Sequence, residues 1–384
     1  EAVARGEEAL RAGKVGVIIV AGGQGTRLGF HHPKGMYPIG PVSGATLFQM
    51  HCEGIVARAR RYGASIPLFL MTSPATHDET LDFFRARGNF GLPEEAVHLF
   101  CQGTMPAVER GTGKLLLASK DSLAQSPDGH GGMLAALERS GCLAAMRSRG
   151  IEQLYYAQVD NPLASIAEPG LIGYHLLARS QVTLQVVAKR TSRARLGNVA
   201  VIDGKLQIIE YSDLNPLPDA IVERTQPSGD WVFWAGSIGV HVFERSFLES
   251  VAANALALPF HVAYKAVAHL DAAGHVQEPR QPNAIKFERF IFDLLPWADR
   301  GVVVEVDEDR SFAPLKNAPG ETLDSPEYVQ RLLMGLHRQW LRDAGAQVPD
   351  DVPVEISPLF GQSAEEVRER VPRGLVVSSP TYFH

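Results

Sequence analysis

The sequence predicts an α/β fold, a mixed and mostly parallel sheet flanked by helices, with an antiparallel insertion and a small C-terminal domain. Three observations carry this expectation. Apolar runs alternate with helix-period patterns through most of the chain, which is how a parallel sheet wrapped by helices reads. The first run, Val17-Ile18-Ile19-Val20, empties into the glycine-rich turn Gly22-Gly23-Gln24-Gly25, a turn too small in side chain to keep a ligand from the backbone. Around Gly197 to Tyr211 the period shortens to strands joined by Asp203-Gly204, a two-residue hairpin turn.

Taken in order, Glu1 to Lys14 is polar and helix-like rather than a signal peptide, and the chain opens without Met, so native residues can precede it. Strands are expected at Val15 to Val20, Pro67 to Met71, Val97 to Phe100, Leu154 to Val159, Val182 to Val187, Val199 to Ile202 and Val302 to Val306. Between the first two, Thr46 caps a helix with Phe48, Cys52, Ile55 and Ala59 on one face, ending before Gly63. Ser325-Pro326 opens another, with Val329, Leu332, Leu333, Leu336 and Trp340 along one stripe, closed by Gly345. A Pro-rich tail with a strand-like piece, Val354 to Ile356, follows. The expected units are a helical segment 1–14, a catalytic domain 15–319 and a small C-terminal domain 320–384.

Composition narrows the function classes. The 384 residues are 45% hydrophobic and 21% charged, with a formal charge of -6. This is an ordinary globular balance without the concentrated positive field that a nucleic acid or an anionic membrane requires. No apolar run approaches a membrane span. Cys52, Cys101 and Cys142 are widely spaced and odd in number, suggesting neither disulfide framework nor zinc knuckle but buried thiols in a reducing cytoplasm.

The glycine turn can be tested against the two common phosphate signatures. A dinucleotide fingerprint G-x-G-x-x-G needs glycine where Leu28 stands, and no glycine pair continues into the Lys and hydroxyl of a P-loop. What remains is Gly22-Gly23-Gln24-Gly25-Thr26-Arg27-Leu28-Gly29 followed by Pro33-Lys34-Gly35, an ordered set of backbone, Arg and Lys suited to a phosphate. Asp160 follows the strand-like Tyr155 to Val159, at the end where open α/β sheets bind ligands. It is either a cap for the next turn or, beside a phosphate loop, a carboxylate for Mg²⁺, which one Asp plus substrate phosphates can hold. Gly129-His130 leads into a helix near Met133, and Gln102 ends a strand with an amide that could pair with a uracil edge or merely face solvent. Glu210 can accept hydrogen bonds from sugar hydroxyls, and Lys316 stands in a rigid Pro-containing loop suited to a phosphate. Each also reads as a surface residue. The adjacent His31 and His32 lack metal-site spacing.

In order, these segments resemble the UDP-N-acetylhexosamine pyrophosphorylase family, within the UDP-sugar pyrophosphorylase group of nucleotidyltransferases. The resemblance rests on Ala21 to Gly29, Pro33-Lys34-Gly35-Met36-Tyr37, Met71-Thr72-Ser73, Gln102-Gly103, Pro127-Asp128-Gly129, Val159-Asp160-Asn161, Glu210-Tyr211-Ser212, Ala235-Gly236, Pro282-Asn283, Ile285-Lys286 and Pro314 to Ala318. It implies a Rossmann-like fold of the nucleotide-diphospho-sugar transferase type. It puts Gly22, Gly23, Gln102 and Gly129 around a uridine, with Gly25, Thr26 and His130 completing the nucleotide side. It implies Arg27 and Lys34 on the triphosphate, Asp160 on Mg²⁺, Lys316 on the sugar phosphate, and Gly197, Glu210, Ala235, Gly236 and Ser237 at the sugar. Two departures bear on the sugar: His130 stands where this family usually has Asn and UDP-glucose pyrophosphorylases have His, and Trp234 and Ser237 replace both Asn residues of an Asn-Ala-Gly-Asn segment. The implied reaction joins UTP and N-acetylglucosamine-1-phosphate into UDP-N-acetylglucosamine and pyrophosphate. The alternatives are a UDP-glucose or broad-specificity UDP-sugar pyrophosphorylase and a non-catalytic UDP-sugar-binding homologue. A nicotinamide dehydrogenase would want a ribose-binding acid that Met71-Thr72-Ser73-Pro74 lacks. Oligomeric state is left open.

Overall fold

The first apolar run becomes the central strand of a nine-stranded sheet. In the computed structural model, which describes residues 1–253 and 258–384, the sheet strands are β1 (Val15–Val20), β2 (Leu68–Thr72), β3 (Val97–Cys101), β4 (Gln153–Gln158), β5 (Val182–Ala188), β6 (Gly197–Ile202), β7 (Lys205–Ile209), β8 (Ala235–Glu244) and β9 (Gly301–Glu305). Their order is β7-β6-β8-β4-β1-β2-β3, with β5 pairing β8 and β9 off that path. β1 lies parallel to both neighbours, Ile18 opposite Phe69 of β2 and Tyr156 of β4. Val15, Val17 and Ile19 enter one core with Phe48, Cys52 and Ile55, while Ile18 enters the other with Met133, Leu134 and Phe247. Burial on both faces is why this strand is apolar without alternation.

The helix between β1 and β2, α1 (Leu47–Tyr62), starts at Thr46, whose hydroxyl accepts from Gln49 N–H, and stops at left-handed Gly63, as the capping residues predict. The Asp203-Gly204 turn has positive φ at both residues, 51° and 75°, and joins β6 to β7. This hairpin extends the main sheet rather than standing apart. The expected strands are all present, Val15–Val20 and Val354–Ile356 with the expected ends and the others with ends shifted by a residue or two, but β8 is missing from the sequence reading. Its Gly236 and Gly239 interrupt the apolar run, which hides a ten-residue strand at the middle of the sheet. Also unforeseen is a small antiparallel arm in which His261–Lys265, Ala284–Glu288 and Val108–Glu109 pair.

The C-terminal residues carry a core of their own, including Leu341, Val354, Ile356 and Val367. Helix α2 (Pro326–Asp343) also sends Val329 and Leu333 into the main core. α1 is the anchor. Arg58 Nη1 donates to Glu366 Oε1 at 2.7 Å, Ser357 Oγ to Glu53 Oε2 at 2.6 Å, and Gln362 Nε2 to the Gly54 carbonyl at 3.0 Å. Arg58 and Glu366 are 4% and 7% exposed, so removing one partner leaves a buried charge uncompensated. Glu366→Ala is therefore expected to cost about 3–5 kcal/mol of stability, read as a lower urea midpoint. An unchanged midpoint would show that solvent already reaches this pair.

Candidate active site

The carboxyl ends of β1 and β4 lie side by side, so the glycine turn after the one and Asp160 after the other share an edge of the sheet. Neighbouring strands shape the turn. Ser73, just past β2, donates its hydroxyl to the Gly22 carbonyl at 2.7 Å. Gln102, just past β3, lies against Gly22 so closely that a Cβ there would sit 3.2 Å from its amide oxygen. Lys34 N–H donates to the Gly23 carbonyl at 3.0 Å, and its Nζ stands 3.3 Å from Asp160 Oδ2. Gly22, Gly23, Lys34, Gln102, Gly129 and Asp160 line a cavity of about 270 Å³.

A second cavity, about 210 Å³, opens on the other side of Asp160. Gly197, Glu210, Ser237 and Lys316 line it, with Phe290 and Phe292 as an aromatic wall. The two cavities share His130, Gln158 and Asp160, so they are lobes of one cleft. The geometry of β8 creates the second lobe. Ser237 pairs with Gly197 of β6, whereas His241 pairs with Tyr156 of β4. Between them Gly239 takes φ 71°, a left-handed conformation natural to glycine, and the ladder to β5 slips between Leu184 and Val186. Ser237, Ile238 and Gly239 line the lobe at that fork.

Five of the residues expected at the site lie outside the lobes. Gly25 is buried, and a Cβ there would lie 2.8 Å from Phe30. It shapes the turn, its carbonyl accepting from Leu28 and Phe30 N–H. Thr26 and Arg27 are exposed on the short helical turn Thr26–Leu28. Ala235 is 4% exposed, and Gly236 faces Leu196, where a Cβ would meet its side chain at 2.5 Å. The strand period explains Gly236, which points to the face opposite Ser237, whereas Ala235 shares the face of Ser237 but is packed against Val186 and Val199, and of the three only Ser237 lines the lobe.

Gly129 has φ 84°, and a Cβ there would lie 2.3 Å from the Arg289 carbonyl oxygen, so both conformation and space call for glycine. The next residue, His130, accepts the Ile291 N–H at Nδ1, 3.1 Å. Burial, with His261 adding to it, lowers its pKa to about 4. His130 is consequently a neutral ring with its proton on Nε2, set at the junction of the lobes. Burial, followed by the nearby Asp213, raises the Glu210 pKa above its ordinary value. Behind the junction Tyr156 and His241 stack at 5.3 Å between centroids.

Sequence reasoning missed Gln158, Tyr156, His241, Phe290 and Phe292. Gln158 and Tyr156 left a signal, standing two and four residues before Asp160, the spacing that puts side chains on one face of a strand. His241 reaches the site on β8, and Phe290 and Phe292 just past the arm strand Ala284–Glu288, neither of which was visible as an element.

The profile of the family described as UTP–glucose-1-phosphate uridylyltransferase matches residues 3–354. The chain is similar to the UDP-N-acetylhexosamine pyrophosphorylase-like protein 1 of Xenopus tropicalis, 37% identical over 92% of this chain and 70% of the relative. It is also similar to the UDP-N-acetylglucosamine pyrophosphorylase of Saccharomyces cerevisiae, 35% identical over 95% and 77%. A crystal structure from Entamoeba histolytica, described as a candidate UDP-N-acetylglucosamine pyrophosphorylase, superposes with TM-score 0.91 at 32% identity, covering 100% of this chain and 96% of that one. A two-lobed cleft on a sheet of this topology, together with a match across nearly the whole chain, makes this protein a member of the UTP–glucose-1-phosphate uridylyltransferase family, on its UDP-N-acetylhexosamine pyrophosphorylase side.

Proposed function

We propose that the protein joins UTP and N-acetylglucosamine-1-phosphate into UDP-N-acetylglucosamine, releasing pyrophosphate. The observation that carries this reading is the meeting of two lobes at Asp160, Gln158 and His130. One is bounded by bare backbone and the Gln102 amide, the other by a carboxylate, a lysine and an aromatic wall. A nucleotide in the first and a sugar phosphate in the second bring an oxygen of the sugar phosphate against the α-phosphorus. That oxygen attacks, the bond from the α-phosphorus to the bridging oxygen breaks, and pyrophosphate leaves. Catalysis is positioning and charge neutralisation.

Within this reading Gln102 pairs with the uracil edge, and Gly22, Gly23 and Gly129 let the nucleotide approach the backbone. Lys34 faces the α-phosphate, and Arg27, exposed beyond the first lobe, meets the far end of the triphosphate. Lys316 holds the sugar phosphate and Glu210 accepts from sugar hydroxyls. Among the described residues no cluster of three or more His, Cys, Asp or Glu forms a cation cage. Asp160 offers a single hard oxygen donor beside the phosphate lobe, which fits a divalent cation that takes its remaining ligands from phosphate and water, as Mg²⁺ does. When bound, such a cation neutralises phosphate charge. Lys34 Nζ stands 3.3 Å from the Asp160 carboxylate. We further propose that the protein works in the cytoplasm. That no helix of the described residues is long and apolar enough to cross a membrane agrees with this.

Pyrophosphate release with UTP and a panel of sugar-1-phosphates tests the function, and a protein that binds UDP-sugar without turnover would be a non-catalytic homologue. Lys34→Ala is expected to lower turnover about 10²- to 10³-fold, the scale for removing one preorganised donor, while UDP-sugar binding suffers less. Turnover at the wild-type rate in a folded variant would remove Lys34 from the chemistry.

The second lobe also carries a specificity reading. Ser237 lines it, and its short hydroxyl leaves more room and fewer fixed contacts than the family's Asn. N-acetylglucosamine-1-phosphate should lead, with measurable use of glucose- or galactose-1-phosphate. Ser237→Asn should shift relative kcat/KM towards the N-acetyl sugar by about 1–3 kcal/mol, measured in competition assays. Unchanged ratios would take Ser237 out of the argument.

Glu210 yields a stability prediction with a definite sign. Because its pKa is raised in the folded state, its ionised form costs stability above that raised value. The cost fades as pH falls to the ordinary carboxylate range, where both states take up the proton. Glu210→Gln should therefore melt a few degrees above wild type at pH 7, with the difference gone near pH 4. A gain that persists at pH 4 would point to another cause.

A further inference from the structure

The loop that carries Lys316 has few reasons of its own to stay in place. The helix before it, Glu308–Ser311, is a single turn, and Pro314 removes a backbone donor from its middle. It is nevertheless tightly held, with Ala313 and Leu315 at 0% exposure. Most of the holding comes from the turn after β4. Leu315 N–H donates to the Asp160 carbonyl at 2.8 Å. The Asn161 side chain does the rest: Nδ2 donates to the Ser311 carbonyl at 2.8 Å, and Oδ1 accepts from Ala313 N–H at 3.0 Å. At the far end Lys316 and Asn317 N–H both donate to the Asp324 carbonyl, at 2.8 and 2.9 Å.

Asn161 could be no more than a turn residue. Its Oδ1 also accepts from Leu163 N–H at 3.3 Å, the local contact by which Asn ordinarily stabilises a turn. That contact is the longest of the three, while the other two reach 150 and 152 residues along the chain. At 2% exposure the carboxamide has one orientation that satisfies all its partners, amide nitrogen towards a carbonyl and amide oxygen towards two N–H groups. Asp lacks the donor and Leu lacks both functions, so a turn requirement alone does not account for Asn.

We propose that Asn161 is a positioning residue of the reaction, its carboxamide clamping the 311–316 loop to the Asp160 turn so that Lys316 is fixed in the second lobe at a set distance from Asp160. The proposal rests on the reading that Lys316 holds the sugar phosphate. One peptide thereby presents the carboxylate to the nucleotide lobe and, through the next side chain, sets the lysine of the other. The geometry of attack is held across the junction without any direct contact between Lys316 and Asp160.

The test is steady-state kinetics of the full chain with UTP and N-acetylglucosamine-1-phosphate, together with amide hydrogen exchange at Ala313. Asn161→Ala should raise KM for the sugar phosphate about tenfold, the loss expected when a charge-assisted contact is misplaced. KM for UTP should stay within about twofold, because Gln102 and the glycine turn are untouched. Exchange at Ala313 should accelerate. Combined with Lys316→Ala, the double variant should be no worse than Lys316→Ala alone, since the clamp acts through that lysine. Should Asn161→Ala fail to fold, Asn161→Ser, which keeps an acceptor for Leu163 N–H, takes its place with the same expectation. Equal rises in both KM values, an unchanged KM for the sugar phosphate, or losses that multiply in the double variant would each overturn the proposal. A wild-type protein that forms no UDP-sugar would overturn the function instead. Exchange at Ala313 then decides the clamp by itself, unchanged protection in the variant refuting it.

Discussion

The cleft exists because one strand serves two neighbours in succession. β8 pairs with β6 through Gly197 and Asn198 and with β4 from His241 onward, and it cannot satisfy both with a straight backbone. The left-handed Gly239 takes up the change of partner, while the slipped register opposite it on β5 absorbs the mismatch. Bulges and glycine kinks commonly re-aim side chains beside functional sites. Here the kink opens the sheet beside Asp160, where a parallel strand ends and a ligand pocket is expected on topological grounds. A straight β8 would close that gap and leave Asp160 as the cap of an ordinary turn.

Electrostatics follow from this geometry. A chain of formal charge -6 cannot attract an anionic ligand with a broad positive field, so its cations have to act locally. Lys34 is within 3.3 Å of Asp160. Lys316 lies near enough to Glu210 and Asp324 to oppose the rise that burial produces in both carboxyls. Each lysine thus has an acidic neighbour, which limits the cost of keeping charge in a half-closed cleft. The neutral His130 at the junction adds a donor without adding charge.

Local structure set by short spacing was readable in the sequence. The glycine turn with Pro33-Lys34 and the capped α1 are local patterns whose physics lies within a few residues, and these appear as expected. Gly129 was also singled out, though the reason it must be glycine, the Arg289 carbonyl 2.3 Å from any Cβ, comes from 160 residues away. What could not be read is the assembly across such distances. β8 is a poor strand by composition, and its place in the sheet is fixed by three partners rather than by its own propensity. Ala235 and Gly236 were expected at the sugar beside Ser237, but the alternation that turns Gly236 away could not be applied without knowing that the segment is a strand, and the packing of Ala235 against Val186 and Val199 comes from other strands. Gly25 was grouped with its neighbours as ligand-facing, whereas the side-chain volume it lacks is taken by Phe30.

Support for the Asp160 turn comes from behind as well as from the loop in front. His51 Nε2 bonds the Val159 carbonyl at 2.9 Å, and Arg58 Nε donates to the Ile166 carbonyl at 3.3 Å. The two side chains are seven residues apart on α1, two helical turns on one face, and so grip both ends of the segment that carries Asp160. Arg58 is itself fixed by Glu366, and Glu53 and Gly54 on the same helix receive Ser357 and Gln362. The C-terminal residues therefore brace the helix that braces the Asp160 turn. A small terminal unit with its own core would otherwise have little reason to spend a buried ion pair on its attachment. Held this way, its docking stiffens the floor beneath the junction of the lobes, 200 residues earlier in the chain, because buried polar contacts tolerate little displacement before they are lost.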